Sequence, residues 1–214
     1  MILYLHGFAS GPGSTKARAV TERMARDGLA VTCPDLTPGP DGFERSTPSS
    51  MLAIAEAALR SAPGPHAVVG SSLGGWLAAL AASRGAPVDR LVLLAPAFRL
   101  QERWTGRLGE AGLSRWRRDG GMEVWHHAAA RNRSIGWGFY EDALRWPGMP
   151  EVRAPTLCIA GRRDETVPLE DVRAWVERTP SARLEVVDDG HELTGALAEV
   201  VERTRAFLLA GGAA

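Results

Sequence analysis

The sequence lacks the features that mark membrane proteins and nucleic-acid-binding proteins. Among its 214 residues, 25 basic side chains balance 25 acidic ones, so the formal net charge at pH 7 is zero. This balance gives no electrostatic attraction to nucleic acid or to an anionic membrane. No apolar run reaches the length of about 18 residues that a spanning helix needs. We therefore expect neither nucleic acid nor a membrane among the partners.

Cysteine and lysine are also scarce. The two cysteines, Cys33 and Cys158, each lie in an apolar run, which favours buried reduced thiols over a disulfide or a catalytic thiol. Lys16 is the only lysine beside many arginines, and we attribute this to coding bias. The opening residues MILYLHGFAS lack the basic segment and the small-residue cleavage site of a secretion signal. We expect a cytoplasmic protein.

What the sequence does contain is a regular alternation of short apolar runs and segments with helical periodicity. Six runs are predicted as strands, at residues 2–5, 29–33, 66–70, 89–96, 155–161 and 183–187. Because these runs do not alternate between apolar and polar residues, both faces of their sheet are predicted to be buried. This pattern predicts an α/β fold with a doubly wound, mostly parallel six-stranded sheet. Ligands of such sheets bind at the carboxyl ends of the strands.

Residues 97–150 interrupt this alternation. They contain no convincing strand, and they carry five of the seven tryptophans and many arginines. A departure of this length between two strands predicts an inserted helical cap. The alternative is a single long crossover that packs away from any site. We therefore assign residues 1–96 and 151–214 to the core and residues 97–150 to the cap.

A serine-containing turn follows the third predicted strand. The stretch Gly70-Ser71-Ser72-Leu73-Gly74 fits the pattern G-x-S-x-G between a strand and a helix. Such a turn is so tight that the residues two positions from the central serine must be small, and it leaves the hydroxyl exposed. Ser72 is therefore the predicted nucleophile. Ser71 lacks glycines at those offsets and is not predicted to react.

A serine hydroxyl needs a general base, and the base needs an acid. Of the five histidines, His191 follows the last predicted strand and is the predicted base. The predicted acid is Asp164, which follows the strand before it. Three other carboxylates remain as alternatives, Glu165, Asp188 and Asp189. The chain order Ser72, Asp164, His191 is the order of hydrolases on doubly wound sheets.

An acyl-transfer site also needs donors for the oxyanion. One predicted donor is the backbone N–H of Leu73, which directly follows the nucleophile. The other is the backbone N–H of Phe8, in the loop LHGFASGPGS after the first predicted strand. His6 in the same loop is interpreted as a structural hydrogen-bonding residue.

Four motifs together resemble the α/β-hydrolase superfamily. They are LYLHGFASGPGSTKA, VVGSSLGGW, GRRDETVP and DDGHEL, and they resemble most the small bacterial esterases of the YqiA/YcfP type. The stretch GSSLGGWL is also similar to abhydrolase-domain acyl-thioesterases and acyl-glucuronide esterases. The resemblance implies a minimal α/β-hydrolase fold and esterase activity through Ser72, His191 and Asp164, with the oxyanion held by Phe8 and Leu73.

From these motifs we expect a serine carboxylesterase that acts on small to medium acyl esters through an acyl-enzyme, with no metal and no organic cofactor. The partner is then a small-molecule ester or thioester. Trp76 and Trp104 are predicted to line an apolar acyl pocket; the alternative is that they only pack the cap against the core. The remaining alternatives for function are an acyl-thioesterase, carbon–carbon or amide hydrolysis, and a non-catalytic binding protein.

Overall fold

The computed structural model describes residues 1–64 and 66–210. The strands in these residues are β1 (Ile2–Leu5), β2 (Val31–Thr32), β3 (His66–Ser71), β4 (Val88–Leu94), β5 (Gly121–His126), β6 (Arg131–Gly136), β7 (Thr156–Gly161) and β8 (Ala182–Val187). Six of them form a parallel central sheet in the order β2-β1-β3-β4-β7-β8. The predicted six-stranded parallel sheet is confirmed.

Helices cover both faces of this sheet. They are α1 (Thr15–Ala25), α2 (Gly42–Arg45), α3 (Pro48–Arg60), α4 (Leu73–Ser83), α5 (Leu100–Asp119), α6 (Trp137–Ala143), α7 (Leu169–Glu177) and α8 (Leu197–Leu209). Successive side chains of a strand point to opposite faces. Thus Leu3 and Leu5 of β1 belong to one buried cluster, which includes residues of α3, α4 and α7. Ile2 and Tyr4 belong to the other cluster, which includes residues of α1 and α8.

The second strand is shorter than the sequence predicts. Residues 29–33 were expected to be extended, but only Val31 and Thr32 pair with β1. The Leu29 N–H donates instead to the carbonyl oxygen of Met24. Gly28, between the two, turns the chain with a positive φ of 74°. Leu29 therefore closes the end of α1, as in a glycine-ended helix terminus, and cannot join the sheet.

The insertion, residues 97–150, is not wholly helical. Between α5 and α6 it contains an antiparallel hairpin of β5 and β6, in which Met122 lies opposite Ile135. The expectation that this segment holds no strand is therefore wrong. The hairpin lies on the surface, and in β6 only Ile135 is buried, so β6 lacks the apolar run by which the core strands were recognised.

The insertion shares its hydrophobic core with the sheet. Trp116 and Phe139 belong to the same buried cluster as Leu5 and Leu77. The division of the chain into a core and a cap stays a prediction. The last four residues of the predicted core segment, 211–214, lie outside the described residues. Within the described part of the chain, no helix is long and apolar enough to cross a membrane.

Candidate active site

The turn from β3 to α4 holds Ser72 in an unusual backbone conformation. Ser72 has φ 51° and ψ −115°, in a region that residues with a Cβ rarely adopt. A Cβ on Gly70 would lie 2.4 Å from the carbonyl oxygen of Gly74, and a Cβ on Gly74 would lie 2.1 Å from that of Leu5. Both neighbours must therefore be glycine, for the steric reason that the sequence pattern suggested.

Ser72, His191 and Asp164 form a continuous hydrogen-bonded chain. The Nε2 of His191 lies 2.9 Å from the Oγ of Ser72, and its Nδ1 lies 2.8 Å from the Oδ2 of Asp164. The three residues come from the carboxyl ends of β3, β8 and β7. With the proton on Nδ1, the imidazole donates to the carboxylate and accepts from the serine hydroxyl.

The carboxylate of Asp164 is buried and fully engaged. Its side chain is 1% exposed. The second oxygen, Oδ1, accepts the backbone N–H groups of Thr166 at 2.9 Å and Val167 at 2.7 Å. These bonds fix the carboxylate so that Oδ2 faces the imidazole.

The three alternative acids lie elsewhere. Glu165 is exposed, and Asp188 pairs with Arg163 on the surface. The carboxylate of Asp189 accepts the backbone N–H groups of Gly190 at 2.7 Å and Ala196 at 2.9 Å. These backbone bonds, that from Ala196 foremost, lower the pKa of Asp189. Asp189 thus shapes the β8–α8 loop that carries His191, a role that the sequence did not reveal.

Lys16 also holds this loop. Its Nζ donates to the carbonyl oxygen of Glu192 over 2.9 Å and lies 3.6 Å from the Oε2 of the same residue. Lys16 is only 8% exposed, and burial lowers the pKa of its ammonium group, against the raising effect of Glu192. The attribution of this single lysine to coding bias missed a contact that joins the first turn of α1 to the residue after His191.

The β1–α1 loop, residues 6–14, lies against the nucleophile. A Cβ on Gly7 would lie 3.5 Å from both the Ser71 carbonyl oxygen and the Ser72 Cβ. Phe8 and Ser72 line the same cavity, and Leu73 is the first residue of α4. Among the hydrogen bonds of the described residues, neither the Phe8 N–H nor the Leu73 N–H donates to a protein acceptor. Both donors are therefore free to bind a ligand, and their role in an oxyanion hole stays a prediction.

His6 fastens the β1–α1 loop to the core. Its Nδ1 lies 3.0 Å from the Gly7 carbonyl oxygen, and its Nε2 accepts the Leu36 N–H over 3.1 Å. These two bonds require the neutral tautomer with the proton on Nδ1. Burial lowers the pKa of His6, partly offset by the Gly7 carbonyl and by Asp35. His6 is thus a structural residue of the site.

A cavity of about 790 Å³ opens beside Ser72 and His191. One wall is the β1–α1 loop with the start of α1, and the opposite wall is the β8–α8 loop with Thr166. Arg107 of α5 and the hairpin residues His127 and Ala128 complete the lining. The hairpin contacts the first wall directly, because the His127 N–H donates to the Ala9 carbonyl oxygen over 2.8 Å.

The two tryptophans predicted to bind substrate lie outside this lining. Trp76 is 0% exposed, and its Nε1 donates to the Pro147 carbonyl oxygen over 2.9 Å. The prediction for Trp76 is wrong, because its ring faces the core on the inner side of α4. Trp104 is half-buried and packs behind Phe8, with ring centroids 5.6 Å apart, and against Trp116 and Phe139. It supports a cavity residue and is not itself part of the cavity lining.

The cysteines and the other buried histidines have no part in the site. Burial raises the pKa of Cys33 to about 11 and raises that of Cys158 still more, so neither thiol ionises readily. His66 bonds the Leu59 carbonyl oxygen over 2.8 Å, and His126 packs edge-on against Phe43. Across the described ranges, no group of three histidine, cysteine, aspartate or glutamate side chains is arranged to hold a metal ion.

Comparisons with known proteins agree with the fold. Est1E from Butyrivibrio proteoclasticus, in its structure with ferulic acid, matches with a TM-score of 0.84 and 22% identity, over 100% of this chain and 89% of that one. The alpha/beta hydrolase domain-containing protein 10 from mouse matches with a TM-score of 0.81 and 21% identity, over 97% and 88%.

A relative with more sequence identity matches over a shorter length. The poly(3-hydroxyalkanoate) depolymerase of Ectopseudomonas oleovorans is 34% identical over 93 residues, which are 40% of this chain and 32% of the depolymerase. The match therefore spans about a third of that enzyme. The model of the uncharacterised protein family UPF0227 matches residues 1–208. The chain belongs to the UPF0227 family and has the fold of the α/β hydrolases.

Proposed function

We propose that the protein is a serine hydrolase that cleaves carboxylic esters with small to medium acyl groups. The observation that carries this proposal is the chain Asp164–His191–Ser72, with contacts of 2.8 Å and 2.9 Å beside an open cavity. The fold shared with esterases supports hydrolysis in general, whereas the choice of esters rests on the chemistry of this site.

Acylation begins with attack of the Ser72 Oγ on the ester carbonyl carbon. His191 Nε2 takes the hydroxyl proton as the new carbon–oxygen bond forms, and Asp164 stabilises the resulting imidazolium. The tetrahedral intermediate then collapses, the bond to the alcohol oxygen breaks, and Nε2 gives its proton to the leaving alcoholate. The products of this half-reaction are the free alcohol and an acyl-enzyme.

Deacylation repeats these steps with water in place of serine. His191 Nε2 takes a proton from the water as its oxygen attacks the acyl carbon. When the bond to Ser72 breaks, the same proton returns to the serine oxygen, and the carboxylic acid leaves. In both half-reactions the N–H groups of Phe8 and Leu73 bind the developing oxyanion, a contribution of roughly 10²–10³ in rate per donor.

A fluorophosphonate probe, which labels activated serines, tests the proposal. We expect the wild-type protein to be labelled at Ser72 and to hydrolyse p-nitrophenyl acetate. Ser72→Ala should lose both, with kcat falling by about 10⁵-fold or more. Ser83→Ala is the control, because Ser83 is exposed at the end of α4 and does not line the cavity, and it should keep both. A folded wild-type protein that is not labelled would indicate a non-catalytic binding protein.

The assignment of the acid has its own control. Asp164→Asn should lower kcat by about 10⁴-fold, because the amide no longer stabilises the correct imidazole tautomer. Glu165→Gln, one residue away and exposed, should change kcat by less than twofold. Comparing acyl-CoA with p-nitrophenyl esters of the same acyl group then separates a thioesterase from an esterase.

A further inference from the structure

The cavity beside Ser72 is large, and polar and apolar atoms share its lining surface about equally. What distinguishes it is which side chains supply that surface. Besides Ser72 itself, six of its lining residues carry hydroxyl groups: Ser10, Ser14, Thr15, Ser71, Thr166 and Thr194. Glycines supply much of the remaining surface of the β1–α1 wall. Among the described residues that line the cavity, none is leucine, isoleucine, valine, methionine or tryptophan. Ligand pockets are usually lined mainly by such apolar side chains, so this lining is informative.

The apolar residues near the site are already used by the core. Phe8 packs with centroid distances of 5.4 Å to Phe43, 5.6 Å to Trp104 and 5.4 Å to Phe139. Trp76 is buried on the other side of α4's first turn, bound to Pro147. Much of the surface of these two rings is therefore covered by other side chains, and of the two only Phe8 lines the cavity.

Charged groups add to the polarity. The ammonium of Lys16 and the side chains of Arg107, Glu192 and His127 all border the cavity. Lys16 and Glu192 largely neutralise each other, with Nζ and Oε2 3.6 Å apart. The lining is thus rich in hydrogen-bond donors and acceptors, and with neutral histidines Arg107 leaves it one positive charge in excess.

We infer that the substrate is an oxygen-rich ester with a short acyl group, which carries hydroxyl groups on its acyl part or on its alcohol part, and is not a long-chain aliphatic ester. A volume of about 790 Å³ accommodates a molecule of the size of an acylated sugar or a short oligoester of hydroxy acids. The hydroxyl groups of both walls would then replace the water that such a substrate loses on binding. This inference rests on the proposed function, because it assigns a substrate class to the same serine.

The first experiment measures kcat/KM for p-nitrophenyl acetate, butanoate, hexanoate and octanoate. An apolar pocket raises kcat/KM by about fourfold for each methylene buried, or about 200-fold from butanoate to octanoate. We expect no rise greater than about threefold over the whole series. A steady fourfold rise per methylene would overturn the inference while leaving the proposed function intact.

The second experiment has two arms that locate the hydroxyl groups. The acyl arm compares p-nitrophenyl 3-hydroxybutanoate with p-nitrophenyl butanoate, and the alcohol arm compares glycerol monoacetate with propyl acetate. We expect a preference of about tenfold or more for the hydroxylated member in at least one arm, because each hydrogen bond gained contributes about threefold to tenfold. Equal rates in both arms would overturn the inference.

A double variant connects the preference to the cavity wall. Thr166→Val with Thr194→Val keeps the shape of both side chains and removes their hydroxyls, so the preference should fall by about fivefold. Thr32→Val, on the exposed edge strand β2 and outside this cavity, is the matched control and should keep the preference. If the wild-type protein hydrolyses none of these esters and binds no fluorophosphonate, the proposed function itself fails, and this inference fails with it.

Discussion

At the scale of single residues, Lys16 is unusual because its charged side chain is buried. A buried ammonium in the first turn of a helix lies where the backbone N–H groups already carry partial positive charge. Its compensation is the Glu192 carbonyl oxygen, 2.9 Å away and directly after His191. We interpret Lys16 as a positioning residue that holds the β8–α8 loop at the correct distance from Ser72.

Lys16→Met tests this role. Methionine keeps most of the apolar stem but cannot donate to the carbonyl, so the imidazole should shift and kcat should fall by about tenfold, with KM within about twofold of the wild type. Steady-state hydrolysis of p-nitrophenyl acetate measures both values. The control is Arg18→Met, at an exposed position of α1 two residues further along, which should change kcat by less than twofold. An unchanged kcat in Lys16→Met would contradict the role.

His6 makes the folded protein sensitive to acid. Burial lowers the pKa of His6 in the folded state, whereas in the unfolded chain its pKa is about 6.5. Below about pH 6.5 the unfolded state therefore binds more protons, and the free energy of unfolding should fall as the pH is lowered from 7 to 5. The lowered pKa of His126 acts in the same direction. Protonation at Nε2 would also break the bond from the Leu36 N–H.

Urea unfolding at several pH values measures this effect. We expect His6→Asn to flatten the fall in unfolding free energy between pH 7 and pH 5. His127→Asn, at an exposed position of the hairpin, should leave the slope as it is in the wild type. A wild-type stability that does not change over this range would show that the folded protein takes up protons as readily as the unfolded chain.

The structure brings together three side chains that the sequence marked for local reasons. Ser72 is defined by glycines two positions away, and His191 and Asp164 directly follow strands that the apolar runs reveal. Lys16 and Asp189 were missed because their partners are backbone groups of a loop whose path no spacing predicts; the contact of Lys16 spans 176 residues. Trp76 was misplaced because α4 is buried on all sides from Leu73 to Ala81, so the sequence does not show which neighbours its ring contacts.

At the scale of elements, Arg133 is one of the side chains that join the hairpin of β5 and β6 to the rest of the molecule. Arg133 Nε donates to Glu44 Oε1 over 2.8 Å, and its Nη2 donates to the Pro40 carbonyl oxygen over 2.7 Å. The guanidinium also lies 5.5 Å from the centroid of the Phe43 ring. Through this contact with α2, the hairpin is held where His127 bonds Ala9 in the β1–α1 loop.

Arg133→Met should loosen the hairpin. Without the paired hydrogen bonds to Glu44, the amide of His127 should exchange its hydrogen about tenfold faster, because its bond to the Ala9 carbonyl opens more often. Hydrogen exchange of the hairpin, followed by mass spectrometry or NMR, measures this rate. Arg131→Met, at an exposed position of the same strand, is the control. Equal exchange in the two variants would mean that Arg133 does not hold the hairpin.

The hairpin of β5 and β6 also shows which secondary-structure elements the sequence pattern cannot predict. The core strands are short apolar runs because helices cover both of their sides, so the sequence predicts them with nearly correct bounds. β6 is polar over most of its length and is paired with β5. It ends at Gly136, where a Cβ would lie only 2.7 Å from the Glu44 carbonyl oxygen. Its strand structure comes from tertiary contacts, which a window of neighbouring residues does not contain.

At the scale of the whole molecule, Trp76 joins the helix of the nucleophile to the end of the insertion. It is 0% exposed, and its bond to Pro147 spans 71 residues. Trp76→Phe removes this hydrogen bond and part of a buried ring, so the free energy of unfolding should fall by about 2–3 kcal/mol. KM for p-nitrophenyl acetate should stay within twofold of the wild type, because the ring does not line the cavity.

Denaturant unfolding and steady-state kinetics on the same samples measure the two effects. Trp125→Phe is the matched control, since Trp125 is 54% exposed on the hairpin and its replacement should alter neither value appreciably. A large rise in KM for Trp76→Phe without loss of stability would restore Trp76 as a substrate-binding residue.

The backbone of Ser72 has a consequence for attempts to improve the protein. A φ of 51° with ψ −115° strains any residue with a Cβ, so Ser72→Gly should raise the free energy of unfolding by about 1 kcal/mol, whereas Ser72→Ala should not. Thermal melting of the two inactive variants compares them directly. Laboratory evolution guided by heat resistance alone would therefore favour chains that no longer turn over substrate, unless every round also screened for catalysis.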